Sequence, residues 1–123
     1  MRAARKDSWK TKPMPQESAS LNYRAEFSSV EFDRMCQGLI PQEMEDKWFV
    51  FFDGTTLHVH RSWTGFCIYQ VTFAEQDGKH AIAHAVVNRS PAQWPAMDQT
   101  DDVELLDAVL TSLLLAERAP RRA

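Results

Sequence analysis

The chain has 123 residues and a net charge of −3, and charged residues of both signs are spread along most of its length. A chain of this length folds as a single domain, and its scattered charge lacks the basic patch that nucleic-acid binding requires. We therefore expect no nucleic acid as a partner. No apolar run approaches the roughly 20 residues of a membrane span, so we expect no membrane as a partner either.

The two cysteines indicate a reducing compartment. Cys36 and Cys67 fall on different predicted elements and lack the close spacing of metal-ligand pairs. We therefore expect two free, largely buried thiols and a cytoplasmic location.

The first 21 residues differ in character from the rest of the chain. Residues 1–21 are polar, contain prolines and show no period that would bury one face, so we expect a disordered tail. Within this tail we interpret Trp9 as an exposed residue without a special role. Residues 22–123 are expected to form one α+β domain.

A short helix is predicted after the tail from local chemistry. Ser28 and Glu31 have the spacing of a capping box, and Gly38 is placed to end the helix in a left-handed conformation. These signals predict a helix from about Ser29 to Gln37 with one apolar face.

From Lys47 the hydrophobic period changes to that of strands. Two Asp-Gly pairs, at 53–54 and 77–78, predict tight hairpin turns, and a longer link at 62–65 joins the second and third strands. We expect a four-stranded antiparallel meander. The predicted strands are Trp48–Phe52, Thr55–Arg61, Phe66–Ala74 and His80–Arg89.

The last element is an amphipathic helix that begins near Asp101. Its apolar side chains recur at helical spacing along one side, namely Val103, Leu106, Leu110, Leu113 and Leu114. The expected fold is therefore α+β, with a four-stranded antiparallel β-meander, a short N-terminal helix and a C-terminal amphipathic helix packed on one face of the sheet.

The meander predicts where polar chemistry collects. Both Asp-Gly turns lie at one end of the sheet, and the 60–65 link, the start of the first strand and the end of the last strand lie at the other. This second end gathers charged, aromatic and amide side chains, and we expect it to be the ligand-binding site. The candidate residues are Lys47, Trp48, His60, Arg61, Ser62, Trp63, Thr64, Asn88 and Arg89.

Such a set suits an anionic ligand that carries a ring. Arg61 or Arg89 could bind a phosphate or carboxylate through two hydrogen bonds, and the indole of Trp63 offers a face to a base or sugar. The leading hypothesis is thus a small binding or accessory module for an anionic or nucleotide-like group. A purely structural turn is the competing interpretation, in which Arg61 stacks on Trp63 or pairs with Asp46 and Gly65 supplies a positive φ.

Metal binding and catalysis are weaker interpretations of the histidines. His58 and His60 share one face of their strand, but His80 and His84 belong to a strand about 9 to 10 Å away, too far for a shared zinc ion. We therefore expect no metal site and no cofactor.

A hydrolase would use His60 as general base, Asp46 to orient it and Ser62 as nucleophile. Nucleophile elbows, phosphate-binding glycine loops and metal-binding helices are missing from the sequence, so an enzyme is the less favoured class.

The first strand suggests a further function class. Trp48, Val50 and Phe52 face opposite to Phe49 and Phe51, so this strand is apolar on both sides. If the helices cover one side, the other is available to a protein partner or to a second copy of the chain. An interaction protein, including a homodimer, is the alternative hypothesis.

Two stretches, 44–48 (MEDKW) and 60–65 (HRSWTG), resemble the pattern of a family of small, mostly uncharacterised bacterial proteins. The resemblance covers Met44 to Arg89, and the helices match in outline. This family is associated with ADP-ribose-handling proteins as fusions or neighbours. The resemblance implies a helper or recognition domain for an ADP-ribose-related ligand or an ADP-ribosylated partner, and it supplies no catalytic mechanism.

Overall fold

The structure is a computed structural model that describes residues 3–95 and 97–115. Within these residues the chain forms one antiparallel sheet, two α-helices and a short 3-10 turn at Lys6–Ser8. The helices are α1 (Ser29–Gln37) and α2 (Gln99–Leu115). The strands are β1 (Ser18–Ser20), β2 (Glu26–Ser28), β3 (Trp48–Phe52), β4 (Thr56–Arg61), β5 (Cys67–Gln76) and β6 (Lys79–Asn88).

The predicted meander is confirmed as four consecutive strands of the sheet in the order β6-β5-β4-β3, with β3 at one edge. The expected count of four strands is wrong, because β1 and β2 both pair with the outer edge of β6 and bring the sheet to six strands among the described residues. Between them, the Leu21 amide donates to the Ala85 carbonyl at 2.8 Å. Strands of three residues are too short for their alternation to be recognised in the sequence.

The predicted first helix is confirmed, with the same bounds. The Ser28 hydroxyl accepts a hydrogen bond from the Glu31 amide at 3.1 Å, and the Glu31 carboxylate accepts one from the Ser28 amide at 2.9 Å. At the other end Gly38 has the expected positive φ, +72°, but its ψ of −160° lies outside the predicted left-handed helical conformation. It lies so close to β3 that an added Cβ would be 2.2 Å from the Val50 carbonyl oxygen. The helix therefore ends where the chain meets the edge of the sheet.

Both helices contribute to one apolar core on one face of the sheet. From α1 the buried side chain is Met35, and from α2 the buried apolar side chains are Leu106, Val109, Leu110 and Leu113. The expected α+β class is thus confirmed. Neither helix in the described part of the chain is long and apolar enough to cross a bilayer. The expected domain, 22–123, extends past the last described residue.

On the opposite face of the sheet, here called the second face, residues 3–17, the N-terminal segment, pack against part of the surface around β3 and β4. The structure differs here from the expected disordered tail. Ala4 is buried against Phe49 and Phe51, and its amide donates to the Gln37 carbonyl at 2.8 Å. Phe49 and Phe51 are consequently 0% and 4% exposed, so the apolar surface that the sequence offers to a partner is occupied by the chain itself.

Candidate functional site

The 62–65 turn is tied to the start of β3, as the meander predicts. Ser62 is buried, its hydroxyl donates to the Asp46 carbonyl at 2.7 Å, and its amide donates to the Lys47 carbonyl at 2.9 Å. Gly65 closes the turn with φ +83°. The two stretches 46–48 and 60–65 therefore do come together, held by hydrogen bonds within the chain.

The guanidinium of Arg61 lies over two neighbouring indole rings, whose centroids are 6.0 Å apart. Its guanidinium carbon is 4.9 Å from the ring centroid of Trp48 and 5.6 Å from that of Trp94. Burial lowers the pKa of Arg61, although a guanidinium stays charged at physiological pH. The structural interpretation expected stacking on Trp63 or pairing with Asp46; the observed partners are Trp48 and Trp94. This cation stabilises the end of the sheet through its contacts with two aromatic faces.

Two other predicted ligand-binding residues, Asn88 and Arg89, also have partners within the chain. Arg89 Nη2 lies 2.7 Å from Oδ2 of Asp102, a carboxylate in the first turn of α2 that is 0% exposed. The Asn88 amide donates to the Cys67 carbonyl at 2.8 Å and to Gln93 Oε1 at 2.9 Å. Both side chains thereby join the end of β6 to neighbouring parts of the fold.

Three of the predicted residues stay on the surface, namely Lys47, Trp63 and Thr64. Trp63 is 63% exposed, and its indole N–H donates to the Met44 carbonyl at 3.1 Å. With Trp9 and Met44 it borders a surface cleft of about 660 Å³, the tryptophan cleft. Trp9 is held there because its indole N–H donates to the Ser62 carbonyl at 2.7 Å. Of the predicted site residues, Ser62 and Trp63 line this cleft, whereas Arg61, Asn88 and Arg89 make contacts within the chain.

The three residues of the hydrolase hypothesis each have a different partner. His60 Nδ1 lies 2.8 Å from the Gly65 carbonyl oxygen on the second face. The Asp46 carboxylate accepts hydrogen bonds from the amides of Gln42 and Glu43, at 2.9 and 3.2 Å. The Ser62 hydroxyl donates to the Asp46 backbone. This arrangement holds the loop before β3 in place and does not have the connectivity of a catalytic triad.

A second cleft, of about 640 Å³, lies between the N-terminal segment and the second face of the sheet. We call it the histidine cleft. Its walls combine aromatic rings, two imidazoles, a thiol and several cationic side chains. The lining residues are Arg5, Lys6, Thr11, Lys12, Pro13, Met14, Phe51, Phe52, Asp53, His58, His60, Cys67 and Gln70.

His58 is oriented by hydrogen bonds at both ring nitrogens. Nε2 lies 2.7 Å from Asp53 Oδ2, and Nδ1 lies 3.2 Å from the Gln70 amide nitrogen, so Nε2 donates and Nδ1 accepts. Partial burial by itself raises the pKa of Asp53, but hydrogen bonds from His58 and from the amides of Thr56 and Thr55 outweigh it and hold the pKa well below its usual range. The carboxylate is therefore ionised and fixes the ring.

His60 and Cys67 lie side by side because of a β-bulge. The register pairs Val59 with Tyr69 and then shifts, so that His60 is opposite Cys67. Burial lowers the pKa of His60 despite the opposing hydrogen bond to the Gly65 carbonyl, while burial raises the pKa of Cys67 to about 12. Both groups are therefore neutral near pH 7.

One donor atom from each of His58, His60 and Cys67 lies within 4.8 Å of the others. The shared face of the two histidines could be predicted from the sequence. Cys67 was not among the predicted site residues, because a regular ladder would place its neighbour opposite His60 and only the bulge brings the thiol there.

The sequence matches no known family model, and neither curated proteins nor solved structures gave a match. The function of this chain is therefore inferred from the geometry of the tryptophan cleft and the histidine cleft.

Proposed function

We propose that this protein is a binding module for a small anionic ligand, and that the ligand occupies the histidine cleft. The observation that carries the proposal is the local charge. Arg5, Lys6 and Lys12 line the cleft beside one carboxylate, Asp53, although the chain as a whole has a net charge of −3. Within the described residues, Lys6 and Lys12 form no ion pair with a carboxylate. Their charges are thus available to a ligand.

The size and floor of the cleft support a ligand that also carries a ring. A volume of about 640 Å³ is within the range of small-molecule sites, roughly 300–1,000 Å³. The floor includes Phe51, which is 4% exposed and stacks on His58 with centroids 4.7 Å apart, so the partly exposed imidazole of His58 is the ring that a ligand would meet. Aromatic surface next to cations suits a nucleotide-like molecule, the ligand class that the sequence suggested, and His60 belongs to both the predicted site and this cleft.

The experiment is a titration of isotopically labelled protein with ADP-ribose, ADP and inorganic phosphate, followed by NMR shift mapping and calorimetry. We expect shifts at His58, His60 and Gln70. The double variant Lys6→Gln/Lys12→Gln should bind about 100- to 10,000-fold more weakly, because it removes two charged hydrogen bonds, each worth about 1.5–3 kcal/mol.

Lys10→Gln is the matched control, because Lys10 belongs to the same segment but lines the tryptophan cleft. It should leave the affinity unchanged. The proposal is wrong if none of the three ligands shifts cleft resonances. It is equally wrong if Lys10→Gln weakens binding as much as the double variant does.

A second candidate function, self-association, is favoured by the tryptophan cleft. Three of the five exposed large apolar side chains among the described residues border it: Trp9, Met44 and Trp63. Clustered exposed apolar groups mark interaction surfaces, and tryptophan is enriched among residues that dominate binding energy.

For this second function, sedimentation equilibrium at micromolar concentration should show a dimer that Trp63→Ser weakens. Val30→Ser is the control, because Val30 is 66% exposed and lies on α1, away from the cleft. A single-chain mass at all concentrations would exclude a dimer formed through the tryptophan cleft.

A further inference from the structure

The floor of the histidine cleft contains a set of metal-ligand groups on a rigid support. His58 and His60 belong to β4, Cys67 begins β5, and the two strands are hydrogen bonded to each other. Their donor atoms lie within 4.8 Å of one another, and all three side chains line the same cleft, through which an ion can enter. Sites on paired strands hold ligand geometry better than sites on loops.

The hydrogen bonds around the two histidines have the pattern of an outer shell in metal sites. A metal-binding imidazole usually donates its other N–H to a carboxylate or a backbone carbonyl, which sets the tautomer. His58 donates from Nε2 to the Asp53 carboxylate, which leaves Nδ1 as its lone-pair atom. His60 donates from Nδ1 to the Gly65 carbonyl, which leaves Nε2. Each ring is therefore oriented with one lone pair, at Nε2 of His60 and at Nδ1 of His58, where the lone pair accepts a hydrogen bond from Gln70.

We infer that His58, His60 and Cys67 form a binding site for a zinc ion. Two imidazole nitrogens and one thiolate suit Zn²⁺, which takes nitrogen and sulfur ligands in tetrahedral geometry. Coordination at Nδ1 of His58 replaces the hydrogen bond that this atom accepts from Gln70. Coordination by Cys67 forms a zinc–sulfur bond and releases the thiol proton to solvent, so that one proton is lost for each ion bound.

Three protein ligands leave the fourth position of a tetrahedral ion open to the cleft, as in sites where zinc takes a water or a substrate. With one thiolate the site has a charge of about +1, next to the cationic wall formed by Arg5, Lys6 and Lys12. An anion in the fourth position would offset the charge of the zinc site and that of the neighbouring cationic side chains. This last step depends on the proposed function, whereas binding of the ion itself does not.

The test is a titration of the full chain, stripped of metal and reduced, with Co²⁺ as a spectroscopic substitute for zinc. We expect one Co²⁺ per chain, a thiolate-to-cobalt charge-transfer band in the near ultraviolet, and displacement of the cobalt by Zn²⁺. Cys67→Ser should abolish the charge-transfer band. Cys36→Ser is the matched control, because Cys36, the other free thiol among the described residues, lies on α1.

A second variant keeps the test decisive if Cys67→Ser fails to fold. Asp53→Asn keeps an oxygen to accept the hydrogen bonds from Thr55 and Thr56 that shape the turn, but it removes the carboxylate that orients His58. Loss of such an outer-shell partner typically weakens metal binding 10- to 100-fold, and we expect that range here.

The inference is overturned if the wild-type chain gives no charge-transfer band. It is also overturned if the band persists in Cys67→Ser, or if Asp53→Asn binds cobalt as tightly as the wild type. Failure of the proposed function is a different result: cobalt would bind as expected, while phosphate and nucleotides produce no shifts in the cleft.

Discussion

His60 is the cross-strand partner of Cys67, and the β-bulge between β4 and β5 makes it so. Continuing the regular register from His58–Gln70 and Val59–Tyr69 would place Ile68 opposite His60. With the bulge, Ile68 packs into the core beneath the helices and the thiol of Cys67 enters the histidine cleft. One extra residue in a strand therefore decides which of two neighbouring side chains belongs to the candidate site.

Replacing Arg61 should test its role at the end of the sheet. Arg61→Lys keeps the charge but loses the planar group that lies over Trp48 and Trp94, so we expect a loss of about 0.5–2 kcal/mol in the free energy of unfolding. Urea unfolding measures it. Arg24→Lys, at an exposed position, should change stability by less than about 0.5 kcal/mol. Equal effects of the two variants would contradict a stacking role for Arg61.

Breaking the ion pair between Arg89 and the buried Asp102 should strongly lower the free energy of unfolding. Arg89→Ala leaves the fully buried Asp102 carboxylate without its countercharge, and we expect a loss of about 3–5 kcal/mol in the free energy of unfolding. Adding Asp102→Asn removes the unpaired charge and should recover part of that loss. A double variant whose loss equals the sum of the two single losses would show that the residues are energetically independent.

The environment of Tyr23 makes the free energy of unfolding depend on pH in the alkaline range. Burial, and then its hydrogen bond to the Asp107 carboxylate at 2.7 Å, raise the pKa of Tyr23 above its usual range. Above about pH 10 the unfolded chain loses the phenolic proton and the folded chain keeps it, so this contribution to stability falls as pH rises. The slope for one group is at most about 1.4 kcal/mol per pH unit.

Urea unfolding between pH 7 and 11 measures that slope. Tyr23→Phe should be less stable at neutral pH, because it lacks the hydrogen bond to Asp107, and should show a shallower decline above pH 10. An unchanged alkaline slope in Tyr23→Phe would assign the decline to other groups.

Gly38 and Gly78 both have positive φ, +72° and +77°, but Gly38 combines it with ψ −160°, a conformation that is essentially confined to glycine. Gly38 also has a steric constraint that Gly78 lacks. A Cβ at Gly38 would meet the Val50 carbonyl at 2.2 Å, whereas nothing lies within 4 Å of one at Gly78. We expect Gly78→Ala to cost about 1 kcal/mol and Gly38→Ala clearly more, as measured by thermal or urea unfolding. Similar losses would mean that β3 can move away from position 38.

The sequence by itself determined the structural elements that are stabilised by interactions between residues close together in the chain. The capping box of Ser28 and Glu31 predicts α1 with its observed bounds, because both hydrogen bonds join groups three residues apart. The Asp77-Gly78 turn is similarly local, with positive φ at both residues. The alternation in the central strands then predicts the meander, and the meander brings residues 46–48 and 60–65 to one end.

Only the tertiary structure decided which polar side chains remain available. In the sequence, Arg61 and Arg89 are equivalent candidates for ligand binding. In the structure Arg61 contacts Trp94, which is distant in sequence, and Arg89 pairs with Asp102, which belongs to α2. The N-terminal segment is polar, yet it is held by hydrogen bonds from the amides of Ala4 and Lys12 and from the Trp9 indole to α1 and the 62–65 turn. Because these partners are far apart in the chain, the sequence shows no periodic pattern that would reveal them. The histidine cleft exists because that segment crosses a sheet whose bulge places the buried Cys67 beside His60, and both features depend on long-range pairing.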